Sequence, residues 1–81
     1  MKVRVLFFAQ LRDAFRKDEC ILEIKKGTTV GTLVQSIFQD QKLEPLRLLP
    51  LLYAVNDDFV KDNQVIGDGD VLAILPPIAG G

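Results

Sequence analysis

The sequence predicts a single α+β domain, with one main helix covering one face of a small mixed sheet. Three observations carry this. Val30, Leu33, Val34, Ile37 and Phe38 recur at i, i+3, i+4, i+7 and i+8, the stripe of a helix lying on a core. Two segments, Lys2–Phe8 and Glu19–Lys25, alternate in the period of two that strands require. A third, Val71–Leu75, is wholly apolar, as strands buried in the middle of a sheet are. The chain has 81 residues, room for one domain that buries about 60% of its unfolded surface.

Taken in order, Lys2–Phe8 is the first strand, with Val3, Val5 and Phe7 on one face and Arg4, Leu6 and Phe8 on the other. Arg4 marks that second face as solvent-compatible. Leu11, Ala14 and Phe15 then recur at helical spacing and predict a short helical turn. Glu19–Lys25 is the second strand, with Cys20, Leu22 and Ile24 inward, and Lys26-Gly27 breaks it. The main helix follows, with Thr28 or Thr29 as its cap. Pro45 and Pro50 bracket a leucine-rich linker without regular period. Leu51–Asn56 is the third strand, and Asn56-Asp57-Asp58 is turn chemistry. Phe59-Val60 and Val65-Ile66 are short extended pieces, and Gly67-Asp68-Gly69-Asp70 turns the chain into Val71–Leu75. Pro76-Pro77 ends that strand, because neither residue can donate to a ladder. Strand, strand, helix, strand, short strand, strand is the element order of a ubiquitin-like β-grasp fold. Residues 1–75 form the domain and 76–81 a C-terminal tail.

Composition narrows the function. Hydrophobic residues make up 48% of the chain, enough for a core. Ten basic and eleven acidic residues give a net charge of -1 without a run of Lys or Arg, so nucleic acid is not expected as a partner. Apolar runs fall short of the roughly 18 residues of a membrane span, so no membrane partner is expected either. The single Cys20 excludes an internal disulfide framework. The chain reads as soluble and cytoplasmic.

The common catalytic arrangements are missing. Without histidine there is no Ser-His-Asp triad and no imidazole metal site, and one cysteine makes no Cys-x-x-Cys motif. No metal site is expected. Cys20, alternating with Leu22 and Ile24, reads as a core thiol. Asp57-Asp58 and Asp68/Asp70 are paired carboxylates on turn signals and read as turn formers. Gly27 and Gly69 fit turns; Gly31 has no evident chemistry, and the glycines do not form a phosphate-cradling loop.

What remains is the tail: Pro76, Pro77, Ile78, Ala79, Gly80 and Gly81. It is uncharged apart from its carboxylate, its prolines restrict the root, and its side chains dwindle to nothing. Termini without Cβ atoms suit entry into a narrow channel and close backbone approach. Six extended residues reach about 20 Å, enough to deliver a carboxyl to a buried centre of another protein. A free carboxylate is a poor electrophile, and nothing in the chain is suited to bind ATP. Activation is expected from a partner enzyme that uses ATP, with no cofactor bound here.

At these residues the chain resembles the family of molybdopterin synthase small subunits, the sulfur carriers of molybdenum cofactor biosynthesis. Asp68-Gly69-Asp70-Val71 through Pro76-Pro77-Ile78-Ala79-Gly80-Gly81, Val5-Leu6-Phe7-Phe8-Ala9-Gln10-Leu11-Arg12 and Ala54-Val55-Asn56 carry the resemblance along nearly the whole chain. Gly-Gly alone is shared by ubiquitin-like carriers generally; Pro-Pro-Ile-Ala-Gly-Gly with Phe-Phe-Ala is more specific. The resemblance implies adenylation of the Gly81 carboxyl by a ubiquitin-activating-type adenylyltransferase, then exchange of AMP for sulfur by a sulfurtransferase. The resulting thiocarboxylate would donate sulfur to cyclic pyranopterin monophosphate in the active site of the large synthase subunit, within a heterotetramer. It also implies that Phe8, Phe59 and Leu75 face that partner, in agreement with Phe8 sharing the face of Arg4. Leu75 stands where an aromatic is common in that family.

Three other readings share parts of this pattern. A sulfur carrier of another pathway, such as thiamine thiazole synthesis, also ends in Gly-Gly but is shorter and lacks Pro-Pro. A ubiquitin-like protein modifier shares the chemistry as far as the adenylate, and then forms an isopeptide bond through Gly81. A plain interaction module would carry an inert tail.

Overall fold

A computed structural model describes residues 1–77. The elements are β1 (Lys2–Phe7), α1 (Ala9–Phe15), β2 (Glu19–Glu23), α2 (Val30–Asp40), β3 (Leu52–Val55), β4 (Asp58–Val60) and β5 (Val71–Leu75). The sheet runs β2-β1-β5-β3-β4. β5 pairs with β1 in parallel, and the other pairings are antiparallel. This is the ubiquitin-like β-grasp arrangement expected from the element order, and the apolar β5 lies at its centre.

One face of the sheet and one face of α2 enclose the core. Val3, Val5, Phe7, Leu72 and Ile74 from the sheet meet Val30, Val34 and Phe38 from α2, all buried. Phe15 of α1 joins the two layers. Its ring stacks on Phe7 at 4.4 Å between centroids and meets Phe38 edge-on at 5.1 Å, the two arrangements that ring quadrupoles favour.

The helical turn predicted from Leu11, Ala14 and Phe15 is a full helix, and its start corrects the first strand. β1 ends at Phe7, and Phe8 instead caps α1 with extended backbone, φ -122° and ψ 153°. The Phe8 carbonyl accepts from the Leu11 N–H at 3.0 Å, while Ala9 takes the left-handed φ of +50° that swings the chain out of the sheet.

The second strand is also shorter than its apolar alternation, ending at Glu23 opposite Lys2, although Ile24 and Met1 still exchange backbone hydrogen bonds of 2.7 and 3.1 Å. Cys20, Leu22 and Ile24 point inward as expected but are half-buried, because β2 is an edge strand with a cleft of about 170 Å³ between it and α2. Burial raises the Cys20 thiol above its ordinary pKa.

The cap of α2 is Thr29, whose hydroxyl accepts from the Thr32 N–H at 3.3 Å. The helix ends in a left-handed Lys42 (φ +59°), with Leu43 N–H donating to the Phe38 carbonyl and Lys42 N–H to that of Gln39, the paired bonds of a Schellman ending. The supposedly irregular linker holds a 3₁₀ helix, Glu44–Leu48, with Pro45 in its first turn.

β3 is two residues shorter than predicted, and Asp58 opens β4 rather than belonging to the turn. The hairpin loop is Asn56-Asp57, both with positive φ, as a two-residue turn between twisted strands demands. Val65-Ile66 forms no strand: Val65 makes one isolated bridge to Thr29, and Ile66 is buried. The Asp70 carboxylate accepts from the Gly67 N–H at 2.7 Å and from Asn56 Nδ2 at 2.9 Å, tying two turns together. Among the described residues, no helix is long and apolar enough to cross a membrane.

Candidate functional site

The face of the sheet opposite α2 carries the site. Side chains alternate along each strand, so the register fixes which residues share that face. Leu6 lies opposite Ala73, Ala73 opposite Ala54, and Ala54 opposite Phe59, in one row across four strands. The next row pairs Leu75 with Leu52. Two small alanines therefore floor a shallow trough, with Phe59 on one wall, Leu6 on the other, and Leu52 and Leu75 at one end.

This apolar surface is open to solvent. Phe59 is 74% exposed, Leu52 54% and Phe8 41%, while Leu75 is half-buried. Phe8 is one step beyond the Phe7–Ile74 register, beside Leu75, and its extended backbone keeps it on the face of Leu6. The three positions expected to face a partner thus share one side of the domain. At about 4.8 Å between strands, Leu75 and the strand of Phe59 are roughly 10 Å apart. A cleft of about 440 Å³ beside Phe59 is walled by Leu51, Leu52 and Tyr53, and partial burial raises the Tyr53 hydroxyl.

Charge lies at the other margin. Arg4 Nε pairs with a Glu19 carboxylate oxygen across β1 and β2. That hydrogen bond, then the charge of Arg4, holds the Glu19 carboxyl below its ordinary range, and the same pair raises Arg4. Arg12 and Asp18, 3.8 Å apart, flank a hollow that also borders Phe8.

The tail leaves from the same end of the sheet as Leu52 and Phe8. Pro76 is buried and Pro77 half-buried. Ile78, Ala79, Gly80 and Gly81, where the transferable carboxyl was expected, lie outside the described residues. Among the described residues, no group of three or more His, Cys, Asp or Glu is placed to hold a metal ion.

Sequence reasoning missed Leu52 as a member of this face, and placed Leu6 there with Arg4 and Phe8 without giving it a role. The signal for Leu52 was present: Leu52 and Ala54 alternate against the inward Tyr53 and Val55. It also left Gly31 without a reason. A Cβ there would come within 3.1 Å of the Asp62 Cβ and 3.2 Å of the Asp62 carbonyl oxygen. That carbonyl accepts from the Gly31 N–H at 2.8 Å, so the glycine admits a loop that closes the end of α2.

The profile of the ThiS family matches residues 5–81. The chain belongs to the ThiS family. Among curated ThiS-like relatives, a molybdopterin synthase sulfur carrier subunit from Mycobacterium tuberculosis is 37% identical over 100% of this chain and 99% of its own length. The fold is similar to that of SAMP1 from Haloferax volcanii, with a TM-score of 0.86 and 18% identity over 100% of both chains. It is also similar to a chain of the complex of subunits 1 and 2 of molybdopterin-converting factor from Helicobacter pylori. There the TM-score is 0.68 and the identity 27%, again over 100% of both chains. ThiS membership thus comes with carrier subunits as relatives and a two-subunit complex among the structural neighbours.

Proposed function

We propose that this chain is the sulfur carrier subunit of a molybdopterin synthase, acting in the cytoplasm. The observation that carries the reading is the meeting of an exposed apolar face with the root of the tail at one end of the sheet. One partner contact at that face brings the terminal carboxyl of Gly81 within reach of that partner's active site.

The chemistry runs in three steps. An adenylyltransferase joins the Gly81 carboxylate to AMP from ATP and releases pyrophosphate, which turns a poor electrophile into a mixed anhydride. A sulfurtransferase then delivers sulfur at the sulfide level, which attacks the carbonyl carbon, AMP leaves, and a thiocarboxylate remains. On the large synthase subunit that sulfur bonds to cyclic pyranopterin monophosphate, and water cleaves the carbon–sulfur bond at Gly81, supplying the oxygen that regenerates the carboxylate. Two such rounds build the dithiolene, in a heterotetramer with carriers at the ends of a large-subunit dimer. This chain contributes position and the thiocarboxylate sulfur; the pocket and the bound nucleotide belong to its partners.

The energetics suit a carrier that changes partners. Burying Phe59 contributes about 1.5–3 kcal/mol, and Phe8 and Leu75, already partly buried in the domain, contribute less. Association costs on the order of 4–15 kcal/mol, so these anchors bind without locking the complex.

Intact mass spectrometry of the chain from its own cells tests the reading. One oxygen exchanged for sulfur at Gly81 is expected, together with failure of a chain lacking Gly81 to restore cofactor synthesis in a null strain. A branched peptide ending in Gly81, with no sulfur exchange, would make it a protein modifier instead.

A further inference from the structure

The prolines at the tail root differ in their surroundings. Along β5 the inward positions are Leu72 and Ile74, both fully buried. The period of two carries the same face on to Pro76, and Pro76 is buried as well, whereas Pro77 is half-buried. A chain that simply frayed from the last strand would expose both.

Position 76 also suits a residue without an N–H. The ladder to β1 stops at the Phe7–Ile74 pair, after which Ala9 turns left-handed into α1. The ladder to β3 stops at Leu52–Leu75, and the next residue back, Leu51, donates its own N–H to the Leu49 carbonyl at 2.8 Å. Both neighbours have turned away, so a proline here forfeits no ladder bond. In return its ring fixes its own φ near -65° and keeps Leu75 out of the helical region, and Pro77 restricts Pro76 in the same way. Leu75 and Pro76 are thereby confined to extended backbone that continues the line of β5, and Pro77 has its φ fixed.

We infer that Pro76 is a positioning residue: packed into the domain, it sets the direction in which Pro77–Gly81 leaves, so that docking through the apolar face aims the tail. The inference rests on the carrier reading above. It leaves five residues beyond the anchored root, a reach of about 17 Å if extended. It also separates two roles that composition merges: Pro76 holds the root, and Pro77 is the first residue of the arm.

The test compares wild type, Pro76→Ala, Pro76→Val and Pro77→Ala in two measurements. Pro76→Val keeps apolar bulk while restoring the N–H and the free φ, so it separates direction from burial if Pro76→Ala folds poorly. The first measurement is the ¹H–¹⁵N heteronuclear NOE at Ile78 and Ala79 in the free carrier. The second is steady-state adenylation by the partner adenylyltransferase, followed as pyrophosphate release. Both Pro76 variants are expected to lower the NOE and to cut kcat roughly 10–100-fold, the scale of misplacing a reacting group by about an ångström. KM for the carrier should stay within about twofold of wild type, because the docking face is intact. Pro77→Ala should lose less in both. An unchanged NOE in Pro76→Val, or a rise in KM with kcat preserved, would overturn the inference. If wild type itself is not adenylated, the carrier reading fails, and the NOE still decides whether Pro76 holds the root.

Discussion

At the scale of single residues, exposure at Phe59 is the feature with the largest functional weight. Its ring stands 74% exposed beside the Ala54–Ala73 trough, where a monomer gains little from it. Phe59→Ala should leave the thermal midpoint nearly unchanged and weaken binding to the proposed large-subunit partner roughly 10–100-fold, the equivalent of about 1.5–3 kcal/mol. Unchanged affinity in calorimetry would remove Phe59 from the contact. The Arg4–Glu19 pair makes a smaller, pH-dependent contribution. The Glu19 carboxyl is held below its ordinary value in the fold, so its contribution is present above the unfolded carboxylate range and is lost as pH falls through the folded pKa. Arg4→Ala should therefore be less stable than wild type at neutral pH, with the gap closing in acid. A gap that persists undiminished in chemical denaturation at low pH would show that the pair is not its cause. Of these residues, Phe59 was legible only through resemblance. A lone Phe next to Val60 after a turn has no period to say which way it faces.

At the scale of elements, periodicity worked where the run was long. The five-residue stripe of α2 and the apolar run of β5 were legible because burial on one face leaves a repeated mark. It failed where tertiary contacts set the ends. β1 stops at Phe7 because Ala9 turns the chain, and β2 stops at Glu23, opposite Lys2, beyond which Ile24 and Met1 still exchange backbone hydrogen bonds. Gly31 shows the same limit. In an isolated helix, alanine there would be favoured by about 1 kcal/mol. In this fold its Cβ would press on Asp62, at 3.1 Å from Cβ and 3.2 Å from the carbonyl oxygen, against a backbone bond that closes the helix. Overpacking of that kind costs about 1–3 kcal/mol. Gly31→Ala is expected to lose roughly 1 kcal/mol net in urea unfolding; a gain in stability would mean that the loop yields without cost.

At the scale of the whole molecule, strand order was not legible from pattern. Alternation reports which face a residue takes and is silent on which strand lies beside it. The order found puts β5 between β1 and β3, with its inward Leu72 and Ile74 in the core that α2 covers. That position makes the sheet dependent on its last strand. Leu72 is fully buried and paired on both sides, with Val5 and Val55. Leu72→Ala should cost about 2–5 kcal/mol, against a total of about 5–15 kcal/mol for domains of this kind. A large fall in the denaturant midpoint with an unchanged slope is expected, and a shift smaller than about 1 kcal/mol would contradict a core centred on β5.

The same central placement bears on mechanical load. Tension applied through Pro77 runs along the axis of β5, so it shears the bonds to β1 and β3 together instead of peeling them one at a time. A strand gripped on both flanks resists that pull. Under the proposed carrier role, an enzyme that seized the chain beyond Pro77 would tug on it and let go without unravelling the domain behind it.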